Sequence, residues 1–253
     1  MAARARTLTR RKRGLAATVA VCLVSRGSAS ANPACEQRSF EGARFTVCTF
    51  DARRDELRLA TAAAPRKLTA LTDELGDDAR RVRFAVNAGM FDDHGAPIGL
   101  LVAAGTVLHP LNTGDAAGNF YLKPNGVFSV DPDGGVHVES TAAYAARTPA
   151  PAWATQSGPM LVIGGALHPA LTGDGPSRKL RNGVGAVDAH VAVFAISEAP
   201  VSFGRFARLF RDELHCRDAV FLDGAVSSLW DPSRDRRDAG HDLGPVVVVL
   251  DRR

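Results

Sequence analysis

Phe221-Leu222-Asp223-Gly224-Ala225-Val226-Ser227-Ser228-Leu229 is the stretch from which the rest of the chain is read. Residues 219–222 are apolar and short enough for a buried strand, and they run straight into a carboxylate, a glycine and two hydroxyls. A strand end followed by a residue that lets the backbone turn tightly holds a reactive group rigidly at the rim of a core. Asp-Gly is also ordinary turn chemistry, so the company this stretch keeps decides between the two.

Upstream, Ser202 reads as the N-cap of a helix that places Phe206, Leu209, Phe210 and Leu214 on one face. Residues 190–196 read as a strand before it and residues 246–250 as a last strand, so the aspartate sits in a strand, helix, strand frame. Further out, residues 44–50 and 56–60 read as paired strands, 67–75 as a short helix, and 83–86 as a strand leading into Asn87. From there to Val187 short apolar runs alternate with Gly, Asn, Asp and Pro, a β-rich and loop-rich pattern. The expected fold class is α+β, a single domain built on a mixed, largely antiparallel β-sheet core with a few helices.

Residues 99–115 align without gaps onto 158–174, with eight identities in seventeen positions. Each copy reads as strand, glycine turn, strand and proline stop, hence two similar β-hairpins, expected to stand beside one site. His109 and His168 match within the repeat and are assigned to the hairpin scaffold.

At the N-terminus, Arg4, Arg6, Arg10, Arg11, Lys12 and Arg13 precede an apolar run over 15–24, and Ala29-Ser30-Ala31 supplies a small-x-small cleavage site. Residues 1–31 therefore read as a secretory signal peptide and 32–253 as the mature domain. Arg10-Arg11 leaves Sec and twin-arginine export both open. No later run is long enough to cross a bilayer, so no membrane insertion is expected after cleavage and the mature protein belongs in the periplasm or outside the cell. The chain has 31 Lys+Arg and 27 Asp+Glu; seven of the basic residues and none of the acidic ones lie in the signal, which leaves 24 against 27. A mature chain with a small net negative charge lacks the basic face that nucleic acid needs.

In an oxidising compartment Cys35 and Cys48 are placed to bridge and pin the N-terminal strand. Cys216 reads as a small buried residue, since no Cys-His signature surrounds it. Asp92, Asp93 and His94 read as a turn, and Asp188 as a partner holding Arg181. His241 and residues 234–237 read as a solvated loop or a substrate-entrance edge. No dense ligand motif appears, so neither a metal nor a cofactor is expected.

Four more polar clusters sit at expected strand ends: Asn87-Ala-Gly-Met-Phe, Asn125-Gly-Val-Phe, Gln156-Ser-Gly-Pro-Met-Leu and Arg181-Asn-Gly-Val-Gly. Each alone is turn chemistry. Together with Leu222-Asp-Gly-Ala-Val-Ser-Ser they form a set that resembles the phosphodiester glycosidase family, in order and over about residues 84–249. The Asp223 block departs from the glycine run of the family's lysosomal enzyme and stands closer to short exported bacterial members.

The resemblance implies hydrolysis of a sugar from a sugar-1-phosphodiester, with cell-envelope or exopolysaccharide material as substrate. It implies Asp223 as the carboxylate acting at the anomeric centre, Arg181 on the phosphate, and Asn87 as a third catalytic group. Gly89, Asn125, Gln156, Ser157, Gly158, Asn182, Gly224, Ser227 and Ser228 are the expected substrate-binding set. The alternative is a non-catalytic periplasmic module that binds glycan or sugar phosphate, although a chain with 2 Trp and 2 Tyr is poor in sugar-stacking aromatics. Nothing in the pattern sets an oligomeric state.

Overall fold

The strand that carries the aspartate, Asp218–Phe221, lies inside a seven-stranded sheet between Asn182–Ala186 and Met160–Ile163. The computed structural model describes residues 1–3, 33–61 and 64–253. The signal-peptide reading of 1–31 falls, from residue 4 onward, outside the described residues. Within Pro33–Arg253, which form one unit, the seven-stranded sheet runs Cys35–Phe40, Ala43–Asp51, Val191–Ser197, Asn182–Ala186, Asp218–Phe221, Met160–Ile163, Ala166–Leu167. A five-stranded sheet holds Thr106–His109, Leu101–Ala103, Trp153–Ser157, Gly126–Val130 and Val136–Ser140. A second five-stranded sheet holds Arg236–Arg237, Leu229–Asp231, Val82–Asn87, Val246–Asp251 and Asp55–Ala60. Neighbouring strands in all three pair antiparallel. With its few short helices this is the α+β domain expected.

The alternation of side chains along Val191–Ser197 explains how the layers join. Ala192, Phe194 and Ile196 point into one buried cluster, while Val193 and Ala195 point into another. Both faces of this strand are therefore covered. Phe194 meets Phe84 at 5.6 Å and Phe128 at 5.4 Å between ring centroids, so one aromatic from each of the three sheets converges in the main core. On the other face, Phe206 packs against Phe45, Phe210 and Phe221. The helix that carries Phe206, Phe203–Arg208, begins where Ser202 Oγ accepts from Arg205 N at 3.0 Å. It runs on as a wider π turn over Leu209–Glu213, which keeps Leu209 and Phe210 inward.

Both repeat units are hairpins, but they occupy the edges of two different sheets. His109 Nδ1 lies 2.9 Å from Gly99 O. His168 is buried, with Nδ1 accepting from Ala170 N and Nε2 3.0 Å from Lys123 O. Each is scaffold, as expected.

Three expectations are corrected. The strands Ala43–Asp51 and Asp55–Ala60 do not pair with each other: Asp55 Oδ2 accepts from Asp51 N at 3.0 Å, and the second strand pairs with Val246–Asp251 in another sheet. Residues 67–75 form no single helix but a 3₁₀ turn, Leu68–Ala70, and a five-residue α segment, Leu71–Leu75, with no side-chain cap on either. Of residues 234–237, Arg234 and Asp235 form an exposed turn, but Arg236 and Arg237 are not a solvated loop. Arg236–Arg237 pairs with Leu229–Asp231, Arg236 bonds Asp238 and Glu198, and the Arg237 guanidinium stacks 4.2 Å from the centroid of Trp230.

Cys35 and Cys48 are register partners and are bridged. Closing a loop of 13 residues is worth about 3 kcal/mol on the chain-entropy account, and it secures an edge strand. Cys216 is buried, and burial pushes its thiol up to about 12. That removes it as a nucleophile at neutral pH.

Candidate active site

Past Phe221 the chain leaves the sheet with one more inward residue, Leu222, whose N–H donates to Asn182 O at 3.0 Å. Asp223 follows, partly exposed, with Oδ1 accepting from Ala225 N at 3.2 Å. Gly224 is needed for close approach: a Cβ there would stand 2.6 Å from the Phe221 ring and 2.8 Å from Leu180 O. The two serines close the turn, Ser227 Oγ donating to Gly224 O at 2.9 Å and Ser228 Oγ to Val226 O at 2.8 Å. Burial raises the Asp223 carboxyl above its ordinary range, while the Ala225 N–H and the nearby His241 pull it part of the way back.

Beneath this turn lies a pair of buried asparagines. Asn87 ends its strand, and its Nδ2 donates to Asp223 O at 2.8 Å. Asn87 Oδ1 accepts from Ser228 N at 3.0 Å and from Asn182 Nδ2 at 2.9 Å. One side chain thereby grips both ends of the 223–228 turn. Asn87 is buried, and these bonds hold in place the turn that carries Asp223. Asn182 is buried behind it, and its Oδ1 has no partner among the described residues.

Arg181 is the largest fully buried side chain of the described protein. Its guanidinium lies 3.5 Å from the centroid of the Phe203 ring and 5.7 Å from that of Phe221. Nε donates to Val201 O at 2.9 Å and Nη2 to Ser177 O at 3.2 Å. Among the described residues no carboxylate pairs with it. Burial alone brings its pKa down to about 10, so at neutral pH it remains a cation without an anion. Asp188 does not hold it, as the sequence suggested; that carboxylate accepts from His190 N at 2.7 Å and closes a separate turn.

A cavity of about 590 Å³ joins these groups. Arg181 and Asp223 line it together with Ser177, Lys179, Asn119 and His241, and Met90 and Phe221 give it apolar wall. Its volume falls in the range of small-molecule sites. Among the described residues Asp223 is the only carboxylate on its lining. Among the described residues no group of three or more His, Cys, Asp or Glu is placed to hold a metal ion.

The structure divides the expected site residues. Asp223, Arg181 and Gly224 line the cavity, and Asn87, Asn182, Ser227 and Ser228 build the turn under it. Asn125, Gln156, Ser157, Gly158 and Gly89 do not line it. Gln156 Oε1 accepts from Leu100 N and Asn112 N, each at 2.9 Å, and its Nε2 donates to Asn112 O at 2.7 Å and Thr141 Oγ1 at 3.0 Å. All its capacity is spent inside the fold. Asn125 Nδ2 donates to Phe120 O at 3.0 Å, which steadies the turn bearing Asn119. A Cβ on Gly158 would stand 2.7 Å from that same carbonyl, and Gly89 packs against the backbone of Gln156. Ser157 is fully buried. Neither repeat hairpin lines the cavity.

Gln156→Leu is accordingly expected to act on stability. It removes the partner of the buried Leu100 N–H and of the half-buried Asn112 N–H and carbonyl, and takes a donor from the Thr141 hydroxyl, which should together cost on the order of 3 kcal/mol. Urea unfolding checks this, and an unchanged midpoint would place Gln156 outside the fold's hydrogen-bond network.

Sequence reading missed Asn119, Ser177 and Lys179 and left His241 between two roles. Lys179 carried a usable signal, because in an extended chain it projects to the same side as Arg181 two residues later. Asn119 and Ser177 carried none, since loop residues have no period.

A model of the phosphodiester glycosidase family matches residues 80–241, which takes in Asn87, Arg181, Asp223 and His241. The uncharacterized protein YigE of Escherichia coli (strain K12) is 34% identical over 150 residues, which are 59% of this chain and 58% of that protein. The chain thus spans less than two thirds of that relative's length. The fold is similar to the zebrafish N-acetylglucosamine-1-phosphodiester alpha-N-acetylglucosaminidase catalytic domain auto-inhibited by pro-peptide, with a TM-score of 0.59 at 12% identity over 86% of this chain and 82% of that one. It is also similar to a hypothetical protein from Synechocystis, with a TM-score of 0.55 at 15% identity over 86% of this chain and 61% of the other.

Proposed function

The chain belongs to the phosphodiester glycosidase family, and from that premise we propose that it hydrolyses the bond between a sugar's anomeric carbon and a phosphodiester oxygen. The observation that carries the reading is the meeting, in one cavity, of a buried arginine with no anion and a carboxylate held above its usual range.

Arg181 takes the phosphate. Its fork matches two phosphate oxygens, and its seat against Phe203 keeps the charge out of bulk water, where it acts more strongly. As the C1–O bond breaks, its electron pair stays on the phosphate oxygen and Arg181 stabilises the charge gathering there. Asp223, ionised, faces the positive charge that develops at C1 and accepts a proton from the water that adds to it. The products are the free sugar and a phosphomonoester. A phosphate is a good leaving group, which fits a cavity lined, among the described residues, by a single carboxylate where ordinary glycosidases use two.

Export and the nature of the substrate belong to the same proposal. The bridged Cys35–Cys48 pair supports an oxidising compartment, and among the described residues no helix is long and apolar enough to cross a membrane. A periplasmic or secreted enzyme of this kind would act on phosphodiester-linked glycan of the cell envelope or exopolysaccharide.

The test is hydrolysis of a panel of sugar-1-phosphate diesters in ¹⁸O water, read by mass spectrometry. Label in the released sugar supports anomeric cleavage. Label in the phosphate makes the protein a phosphodiesterase, and binding without turnover makes it a sugar-phosphate binding module.

A further inference from the structure

Arg181 is accompanied in its cavity by a second cation. Lys179 lies two residues earlier, in an extended segment whose backbone bonds Val201 in both directions at 3.2 and 2.9 Å. Alternate residues of an extended chain project to the same side, roughly 6–7 Å apart. Their depths differ: Arg181 is buried and Lys179 is exposed on the same lining. Among the described residues neither has an ion-pair partner, whereas the adjacent Arg178 lies 3.9 Å from Asp174. Asn119, also exposed on this lining, has a side chain without a hydrogen-bond partner among the described residues.

An exposed lysine on a convex surface is a solvated point charge of little consequence. In a concavity with apolar walls, here Met90, Leu180 and Phe221, the field of the same lysine is focused. One phosphate group satisfies Arg181 at depth, and a cation placed further out along the same wall then calls for a second anion. With the sugar toward Asp223, what passes outward beyond the reacting phosphate is the leaving group.

We propose that Lys179 and Asn119 form an outer anion subsite that takes a second phosphate on the leaving-group side. The preferred substrate is then a sugar-1-phosphate joined to another phosphate-bearing unit, as in a polymer of phosphodiester-linked repeats, rather than a simple diester. This builds on the hydrolase reading, but a binding measurement tests it separately.

The probes are propyl phosphate and propane-1,3-diyl bisphosphate, titrated calorimetrically into the folded protein and into Lys179→Gln and Arg178→Gln. The unsubstituted protein is expected to favour the bisphosphate by about tenfold or more. Lys179→Gln should bring the two probes to within about threefold with propyl phosphate little changed, and Arg178→Gln, which alters charge just outside the lining, should keep the preference. Equal affinities, no binding of either probe, or a preference that survives Lys179→Gln would overturn the subsite. A preference intact in a protein that never turns over a diester leaves the subsite standing and removes only the hydrolase reading.

Discussion

Asp223→Asn is expected to lower kcat by about a thousandfold while leaving a sugar phosphate bound within a few-fold of the original affinity. Asparagine keeps the shape and can still accept from Ala225 N, so the turn held by Asn87 survives and only the charge and the proton acceptor go. The same substitution has a second signature. Burial raises the folded carboxyl above its unfolded value, so the ionised form is the costly one in the native state. Stability associated with this group is complete below the unfolded pKa of about 4 and is lost as pH rises through the higher folded value. Asp223→Asn should therefore raise the melting temperature at pH 7 and lose that advantage as the pH falls toward 4 and below. A variant that is more stable and inactive is what a functional carboxylate predicts. One that is inactive and less stable at pH 7 would instead make Asp223 a structural turn residue. The activity of the unsubstituted protein should fall on the acid side through a pKa above the usual carboxylate range, and His241→Gln should move that limb upward by removing a positive neighbour.

Arg181→Met is expected to reduce kcat/KM by on the order of a thousandfold, comparable to losing a preorganised donor to a developing anion. Its effect on stability should be small. The substitution frees the carbonyls of Val201 and Ser177, which costs, and it removes a buried cation with no carboxylate, which gains. Methionine retains an apolar stem against Phe203 and Phe221, so the balance should lie within about 2 kcal/mol of the original protein. Arg181→Lys should restore little activity, because an ammonium neither stacks as a plane on Phe203 nor presents a fork to two phosphate oxygens. Chemical denaturation and steady-state kinetics on the same preparations separate the two effects. Full activity in Arg181→Met would remove the phosphate role, and a loss of several kcal/mol would show that the guanidinium serves the fold.

Much of this was legible along the chain. The helix after Ser202 follows from a local cap and from the spacing of Phe206, Leu209 and Phe210, and the duplicated hairpins follow from glycine turns and proline stops within each copy. Cys35 and Cys48, thirteen residues apart, were readable as a pair because so short a separation holds them close. Asp223 and Arg181 stood out because a charged residue at the end of an apolar strand needs a reason to be there.

Other features were decided by tertiary structure alone. Asn87, Asn125, Asn182 and Gln156 are alike in sequence, amides at strand ends, yet two build the turn under Asp223 and two lock the neighbouring sheet. Which carbonyl or N–H each amide meets depends on segments up to 141 residues away. The strand Asp55–Ala60 likewise chose a partner near the C-terminus over its neighbour in sequence. The cavity itself collects Met90, Asn119, Ser177 and His241 from segments whose side chains follow no period. Short-range chemistry, including the carboxylate, the cation, the cap and the turns, was determined by the amino-acid sequence directly. The depth at which each charge sits, and hence the shifted Asp223 and the uncompensated Arg181, arose only when three sheets closed around them, because burial belongs to the packed chain and not to any single stretch of it.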